Sequence, residues 1–365
     1  MRTIKLLLTV AFGFIFTLAA LEVTFRFLPV NAGLFRTYDQ QSWPIRAYTP
    51  HAPFTYSRTW EMLLVNRGRT NNYGHIAPFD YVPGSRPVIV IGNSYVAAEM
   101  LPYTDMVQAQ LAERLHGRAP VYGFGFNGNA LSDYLATAAL AAPEFLPRAV
   151  VVVVVDGDIS ESLGDRTGHY FFASEGDRLV LRYHPQSGRS MFGRIREAAG
   201  DIALYKYVFA NLHFTFEDIL PQNAFPQAAS LGGASDDTAQ TTKEHAVVDT
   251  FLAEFSTRAG ISRECTVLLL DSDRYALYSA KFARKNPKDK AERRQYLIDR
   301  ARALGYGVVD LESVFANDYS ANHSKLDFWP VDRHWNRRGH GLVAEKAFRA
   351  LTSSEHGNPA CLGTD

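Results

Sequence analysis

The sequence contains very little cysteine and has no excess of charge of either sign. Only two of its 365 residues, Cys265 and Cys361, are cysteine, and they form no CxxC pair or Cys/His cluster. That scarcity argues against a structural metal site. Lysine and arginine together number 38, as do aspartate and glutamate. The chain therefore has no basic field that would attract nucleic acid, and we expect no nucleic-acid partner.

The turn after the first buried strand also lacks the glycine pattern of a nucleotide-binding fold. It is formed by 92–95, Gly-Asn-Ser-Tyr. A Rossmann site needs G-x-G-x-x-G at that place, so that the pyrophosphate can approach the backbone. We predict that the protein uses neither a cofactor nor a metal.

The composition is that of a folded globular protein. Apolar residues make up 47% of the chain and charged residues 21%, which is typical of a globular domain and not of a disordered one. The length allows one large α/β domain or two small ones.

An uncharged apolar run lies close to the N-terminus. Arg2 and Lys5 precede the run 6–21, which reaches one bilayer width, about 20 residues, only if 23–28 joins it. Positive residues ahead of such a run favour an N-terminus on the cytoplasmic side.

Three interpretations of 1–28 stay open: an uncleaved membrane anchor, a cleaved signal peptide, and a buried core helix. Leu18 occupies the −3 position of the best cleavage site, where a small residue is preferred, and this favours the anchor. With an anchor, the soluble domain lies outside the cytoplasm, on the periplasmic or cell-surface side. With a cleaved signal the protein is secreted.

Strand and helix patterns alternate through the rest of the chain. This alternation predicts an α/β fold with a mostly parallel sheet and helices on both faces. The strand 149–155 is apolar throughout, so we expect it to be buried on both sides. The predicted strands are 88–91, 121–124, 149–155, 265–273 and 305–311, and the predicted helices are 106–115, 131–142, 288–304 and 341–351.

The remaining segments are expected to be less regular. We interpret 29–80 as a connecting and packing segment, 81–355 as the main domain and 356–365 as a tail. Within the main domain, about 160–250 loses the alternation and is predicted to be an insertion. Its stretch "PQAASLGGASDDTAQTTKEH" is typical of an exposed loop.

Four polar or glycine-rich segments follow strands or precede the last helix. In open α/β sheets, ligands bind beyond the carboxyl ends of the strands. Ser94 follows the first strand, "GFGFNGN" the second, "DGDISES" the third, and "VDRHWNRRGH" leads into the closing helix.

These segments resemble the blocks of the SGNH/GDSL hydrolase superfamily, of the membrane-anchored envelope type. The family's Gly-Asp-Ser block is matched by 92–94, Gly-Asn-Ser; its glycine of the second block by Gly125; and its final Asp-x-His by Asp332 and His334. The resemblance covers about residues 70–350. It implies a three-layer flavodoxin-like fold and an ester hydrolase with Ser94 as nucleophile.

The chemistry of the three polar residues suits these roles. A serine hydroxyl is a poor nucleophile until a base takes its proton. His334 can do so, because imidazole titrates near neutrality. Asp332 can accept the other ring N–H and fix the tautomer.

The sequence departs from the family pattern at two positions. The third block normally has Asn before Asp, and the Asn amide helps to bind the oxyanion. Here the aligned pair is Gly157-Asp158, so that amide is missing. We therefore predict an oxyanion hole built from the backbone N–H groups of Ser94 and Gly125, with the amide of Asn127 or Asn129 as a further donor.

The other departure is Asn93, which replaces an aspartate that holds the turn.

Several other polar and aromatic residues near these segments are interpreted as structural. Asp158 is predicted to be a cap or turn residue and Asn336 the N-cap of the closing helix. Tyr95 and Trp335 are predicted to pack and not to bind substrate. His340, Asp271 and Asp310 are interpreted as packing or strand-end residues.

Three functions are compatible with these residues. The first is an ester hydrolase acting through an acyl-serine on a small-molecule or glycan O-acyl ester. The second is an O-acyltransferase that uses the same residues. The third is a catalytically inactive binding subunit of envelope-polysaccharide assembly.

Outside the cytoplasm, Cys265 and Cys361 can form a disulfide that holds the tail. The alternative is that they are two unrelated thiols.

Overall fold

The protein is described from a computed structural model, which covers residues 2–34, 36–37, 45–176, 178–185, 199–212, 214, 237–278, 287–353 and 361–362. We number its elements along the chain. The strands are β1 Arg36–Thr37, β2 Ala47–Tyr48, β3 Pro53–Arg58, β4 Leu63–Arg69, β5 Val88–Gly92, β6 Val121–Gly125, β7 Ala149–Val154, β8 Tyr170–Glu175, β9 Arg178–Tyr183, β10 Thr266–Leu270 and β11 Gly307–Asp310. The α-helices are α1 Arg2–Phe27, α2 Ser94–Ala97, α3 Val107–Leu115, α4 Leu131–Phe145, α5 Asp158–Glu161, α6 Ala203–Lys206, α7 Asp237–Ala259, α8 Arg274–Tyr278, α9 Pro287–Ala303, α10 Leu311–Asn322 and α11 Arg337–Thr352.

A five-stranded parallel sheet forms the centre of the domain. Its spatial order is β11-β10-β7-β5-β6, and every neighbouring pair is parallel. Counted along the chain within this sheet, the order is 2-1-3-4-5, which is the flavodoxin-like order. The predicted fold is confirmed. In such a sheet β5 and β7 switch the direction of winding, and ligands bind beyond the carboxyl ends of the strands near that point.

Helices cover both faces of the sheet, because alternate side chains of each apolar strand point to opposite sides. Ile89 and Ile91 of β5 pack on one face together with α4, α7 and α9. Val88 and Val90 pack on the other face with α3, α10 and α11. β7 is buried throughout, as predicted.

The predicted helices are present with shifted ends. α11 begins at Arg337, four residues before the predicted start, because the Asn336 side chain accepts hydrogen bonds from the N–H groups of Arg338 and Gly339. Asn336 is therefore the N-cap of α11, as predicted. α4 continues past the predicted end to the fully buried Phe145, although Pro143 lies in its last turn.

The segment 29–80 contains more regular structure than predicted. β3 and β4 pair as an antiparallel hairpin, offset by an irregularity between Tyr56 and Arg58. Phe54 and Tyr56 of β3 point inward, whereas Thr55 is only partly buried, which is the alternation expected of a half-buried strand.

The predicted insertion, about 160–250, extends too far along the chain. α7 begins at Asp237, and its Val247, Val248 and Phe251 are buried in the main core. Residues 237–250 therefore belong to a helix of the domain that reaches the core from Glu244 onward, and not to an exposed loop. The part of the predicted loop at 226–236 lies outside the described residues. The insertion also contains the antiparallel pair β8–β9.

The predicted disulfide is present. Cys265 and Cys361 are bonded, with their Cα atoms 5.5 Å apart. The Leu362 carbonyl accepts a hydrogen bond of 2.6 Å from Arg148, and Leu362 is buried. The bond therefore holds residues 361–362 against the amino edge of the sheet.

α1 is long and apolar enough to cross a membrane. It has 26 residues, its most apolar window has a mean hydropathy of 2.2, and none of that window is buried. A helix of this kind also fits a signal sequence. The core-helix interpretation is wrong, because α1 has no buried residue.

Candidate active site

Ser94 stands where the buried strand β5 turns into α2. The Asn93 side chain accepts a hydrogen bond of 3.1 Å from the Tyr95 N–H, and the Asn93 carbonyl accepts from Val96 and Ala97. Among the described residues the Ser94 N–H has no acceptor, as expected for the first residue of a helix. The turn thus leaves one donor beside the serine hydroxyl.

The structure brings Ser94, His334 and Asp332 into one hydrogen-bonded chain. His334 Nε2 lies 2.7 Å from Ser94 Oγ, and His334 Nδ1 lies 2.6 Å from Asp332 Oδ1. With the ring proton on Nδ1, the ring donates to the carboxylate and Nε2 accepts from the hydroxyl. That is the arrangement in which a histidine can take the serine proton.

Asp332 is fixed by its own backbone as well as by the imidazole. Its Oδ1 also accepts a hydrogen bond of 2.8 Å from the His334 N–H, and its side chain is only 2% exposed, against 23% for His334. The carboxylate is therefore buried, while the imidazole remains reachable from solvent.

The hairpin β3–β4 supplies two further partners of Asp332. The Tyr56 hydroxyl donates to Asp332 Oδ2 over 3.1 Å, and Arg58 Nη1 lies 3.4 Å from the same oxygen. Burial would raise the pKa of Asp332, but the hydrogen bonds and charge of His334, together with Arg58, lower it to about 2. Asp332 is thus a carboxylate at any pH near neutrality.

Sequence analysis missed Tyr56 and Arg58. The alternation in "PFTYSR" was a usable signal for a strand. No local pattern indicates that this strand lies over a loop 276 residues further along the chain.

Arg274 joins the loop of His334 to the turn of Ser94. Its Nη2 donates to the Tyr95 hydroxyl over 3.1 Å and to the Arg333 carbonyl over 3.0 Å. Tyr95 follows Ser94, and Arg333 precedes His334. One buried guanidinium thereby holds the chain neighbours of both proposed reacting residues.

Two buried carboxylates compensate the charge of Arg274. Its Nε lies 3.3 Å from Asp327 Oδ2, and its Nη1 is paired with Asp271. The Asp271 carboxylate also accepts a hydrogen bond of 2.9 Å from the indole of Trp335. Arg274 and its two carboxylate partners are thus hydrogen-bonded to one another, which is the condition for tolerating charged groups in a core.

The aromatic neighbours pack as predicted. Trp335 is fully buried, and the Tyr95 ring lies 4.8 Å from the His334 ring and 4.9 Å from that of Trp335. His340 is fully buried too, and its Nδ1 accepts from the Val107 N–H over 3.0 Å. Trp335 and His340 belong to the support of the site.

Gly125 lies directly under α2. A Cβ at this position would stand 2.2 Å from the Ala97 N and 2.6 Å from the Val96 carbonyl carbon. Any side chain would therefore push away the helix that begins at Ser94. The structure gives Gly125 this packing role; its role as an oxyanion donor stays a prediction.

The two asparagines of the neighbouring loop have different surroundings. Asn127 donates its amide to Glu99 Oε1 over 2.9 Å, which occupies one of its two hydrogens. Asn129 is buried. Burial raises the pKa of the Glu99 carboxyl, while the Asn127 amide and the nearby charge of His334 lower it. A carboxyl group thus lies close to the site, and sequence analysis did not single it out.

Asp158 supports the serine turn from below. Its Oδ1 accepts from the Asn93 amide over 3.0 Å, and its Oδ2 accepts from the Tyr134 hydroxyl over 2.9 Å and from the Val155 N–H over 2.8 Å. It is the predicted turn residue. This contact also gives Asn93 a role: its amide donates to the carboxyl group of Asp158, whose pKa is raised well above its usual value by burial.

No family model matches the sequence, and no curated protein matches it. An acetyl xylan esterase structure is 15% identical with a TM-score of 0.37, over 72% of this chain and 100% of that chain. A member of the lipolytic protein G-D-S-L family from Veillonella parvula is 10% identical with a TM-score of 0.38, over 73% and 98%. An alpha/beta hydrolase enzyme from the metagenome of Lake Arreo is 16% identical with a TM-score of 0.38, over 78% and 99%. The chain is thus similar to solved hydrolases at low identity and low TM-score, and its activity is inferred from its own site.

Proposed function

We propose that the protein is a serine-dependent ester hydrolase that forms an acyl-serine intermediate on Ser94. The observation that carries the proposal is the contact of 2.7 Å between His334 Nε2 and Ser94 Oγ, with the other ring nitrogen 2.6 Å from Asp332. Nucleophile, base and orienting carboxylate are in reach of one another without any movement.

The reaction follows from this geometry. Ser94 Oγ attacks the ester carbonyl while His334 Nε2 takes its proton, and Asp332 stabilises the imidazolium. The tetrahedral oxyanion would be bound by the N–H groups of Ser94 and Gly125, with an amide of Asn127 or Asn129. His334 then gives the proton to the leaving alkoxide, and the alcohol departs.

Deacylation is the same sequence with water. His334 takes a proton from water, the hydroxide adds to the acyl carbonyl, and His334 returns the proton to Ser94 as the acid leaves. If a sugar hydroxyl takes the place of water, the result is transfer of the acyl group. Product analysis with a glycan ester, with and without an added acceptor, separates the two.

We place this chemistry outside the cytoplasm. The disulfide Cys265–Cys361 supports the proposal, since such bonds persist in oxidising compartments, as does the apolar helix α1. The proposed substrates are O-acyl esters of small molecules or glycans. The bond can be tested by alkylating intact cells with and without reductant: protection of both thiols is expected, and free thiols would contradict the location.

A fluorophosphonate probe tests the nucleophile. We expect the full-length protein to be labelled and the Ser94→Ala variant not. Ser160→Ala, which removes an exposed serine of α5, should label like the wild type. Equal labelling of Ser94→Ala and the wild type, or no labelling of either, would contradict the proposed function.

A further inference from the structure

Six large apolar side chains outside the core lie in two segments beside α1. Three belong to the hairpin β3–β4 or its turn, and three to 202–214. All are between 39% and 69% exposed, with Trp60 the most exposed. The six are Trp60, Leu63, Val65, Ile202, Leu212 and Phe214, and we call this set the docking face.

Hydrogen bonds join the two segments into one surface. The Tyr207 hydroxyl donates to the Trp60 carbonyl over 3.1 Å, and the Thr59 N–H donates to the Asn211 carbonyl over 3.2 Å. The Asn211 amide also donates to the Ser57 hydroxyl over 2.6 Å. The turn of the hairpin is therefore tied to the segment that follows α6.

The end of α1 is tied to the same surface. The Glu22 carboxylate accepts hydrogen bonds of 3.1 and 2.9 Å from the N–H groups of Ala203 and Leu204. The Phe25 ring stacks on the Tyr207 ring at 4.2 Å. The apolar helix therefore leaves the domain next to the docking face.

We propose that the docking face rests on the lipid bilayer that α1 enters. A tryptophan among aliphatic residues is what the headgroup region favours, since its ring has an apolar body and one polar N–H. A domain held at the membrane by α1 meets the bilayer at a high effective concentration, so a modest apolar area is enough. An exposed apolar cluster of this kind is also what soluble surfaces usually avoid.

Apolarity alone does not select the bilayer, because other exposed apolar residues lie elsewhere. Leu146 is 56% exposed, but it ends α4 just before β7 begins. It therefore lies at the amino edge of the sheet, opposite the site. Continuity with α1 is what distinguishes the docking face.

This orientation brings the proposed active site close to the membrane surface. Tyr56, which binds Asp332, is four residues before Trp60 on the same hairpin. At about 3.3 Å per strand residue, the separation is on the order of 10 Å. The substrates reached would be esters presented at the bilayer surface. This consequence rests on the proposed function, whereas the docking itself does not.

Spin labels on the full-length protein in phospholipid nanodiscs test the orientation. Both native cysteines are in the disulfide, so a nitroxide can be attached at Leu63→Cys, with Leu146→Cys as the matched control. We expect collision with oxygen to exceed collision with a water-soluble nickel chelate at position 63, and the reverse at 146. Equal behaviour at both positions would overturn the proposal.

Other occupants give different outcomes. If a second copy or another protein covers the face, position 63 will be protected from both reagents, and this also overturns the proposal. Quenching of Trp60 by brominated lipid is an independent readout, lost in Trp60→Phe and kept in Trp329→Phe. Labelling of Ser94 by a fluorophosphonate, measured on the same samples, shows separately whether the proposed catalytic site is intact.

Discussion

The Tyr56 hydroxyl donates a hydrogen bond of 3.1 Å to Asp332 Oδ2, the oxygen of that carboxylate that does not face His334. A residue of an N-terminal hairpin thereby sets the orientation of a carboxylate near the C-terminus. The proposed catalytic chain consequently has four members in contact, and the fourth comes from outside the parallel sheet.

Removal of this hydroxyl should slow the chemical step. In Tyr56→Phe we expect kcat to fall about tenfold with little change in KM, because a hydrogen bond to a charged group contributes ~1.5 kcal/mol or more. Steady-state kinetics on a soluble ester give the split. The control is Tyr207→Phe, which also removes a tyrosine hydroxyl, here one that donates to the Trp60 carbonyl at the turn of the hairpin. It should leave kcat unchanged. A change in KM alone would assign Tyr56 to substrate binding.

Arg274 should act as a positioning residue. Arg274→Lys keeps the charge but loses the fork that reaches Tyr95 and Arg333 together. We expect kcat to fall by about 10- to 100-fold, since small misplacement of reacting groups has effects of that size. Arg274→Met should also lower the free energy of unfolding, because it leaves buried Asp271 and Asp327 unpaired.

The control for Arg274 is Arg338→Lys, which alters an arginine of α11 that is paired with Asp318 of α10. It should leave kcat unchanged. If Arg274→Lys lost stability in urea but kept its kcat, the guanidinium would be structural only.

The disulfide should contribute substantially to stability. Cys361→Ser opens a loop whose ends are 96 residues apart. In the chain-entropy model this lowers the free energy of unfolding by about 4.7 kcal/mol. Urea unfolding of wild type with and without reductant is the measurement. The reduced wild type should match the variant, and a double variant lacking both cysteines should not respond to reductant.

Acid should destabilise the fold partly through His340. Burial lowers the pKa of His340 to about 3, with the charges of His334 and Arg274 acting in the same direction. In the unfolded chain this histidine binds a proton near pH 6.5. Below that pH, protonation of the unfolded state therefore lowers the free energy of unfolding progressively, until the pH reaches the pKa of the folded state. The loss is about 1.4 kcal/mol per pH unit.

Comparison with a variant isolates this contribution. Between pH 6.5 and about 5, the wild type should lose about 2 kcal/mol more than His340→Gln, which retains an acceptor and does not titrate. His116→Gln, at an exposed position, should behave like the wild type. Parallel pH dependence of His340→Gln and the wild type would contradict the burial account.

The sequence predicted the parts of the molecule whose signals are local. Buried strands such as β7 are apolar runs, and the turn at Ser94 and the Asp332–His334 pair carry their chemistry within a few residues. The resemblance joined these segments, and the structure places them within hydrogen-bonding distance. The disulfide was predicted from compartment and position together.

The supporting residues could not be predicted, because their roles depend on contacts distant in sequence. Arg274 looks like any arginine after a strand until its partners Tyr95 and Arg333 are known, 179 and 59 residues away. The helix α7 was missed for a related reason, because its first half was interpreted as part of an exposed insertion. Polar residues in its first turns resemble a loop, while Val247 and Phe251 show a helix only once their packing on the sheet is seen.

Direct detection of the acyl-enzyme tests the central claim most sharply. The full-length protein is mixed with an activated acyl ester, quenched in acid within the first turnover, digested and examined by mass spectrometry. We predict one added acyl group, on the peptide that contains Ser94, and none in Ser94→Ala. Turnover of the ester with no acyl group on Ser94, or with the group on another residue, would contradict the account.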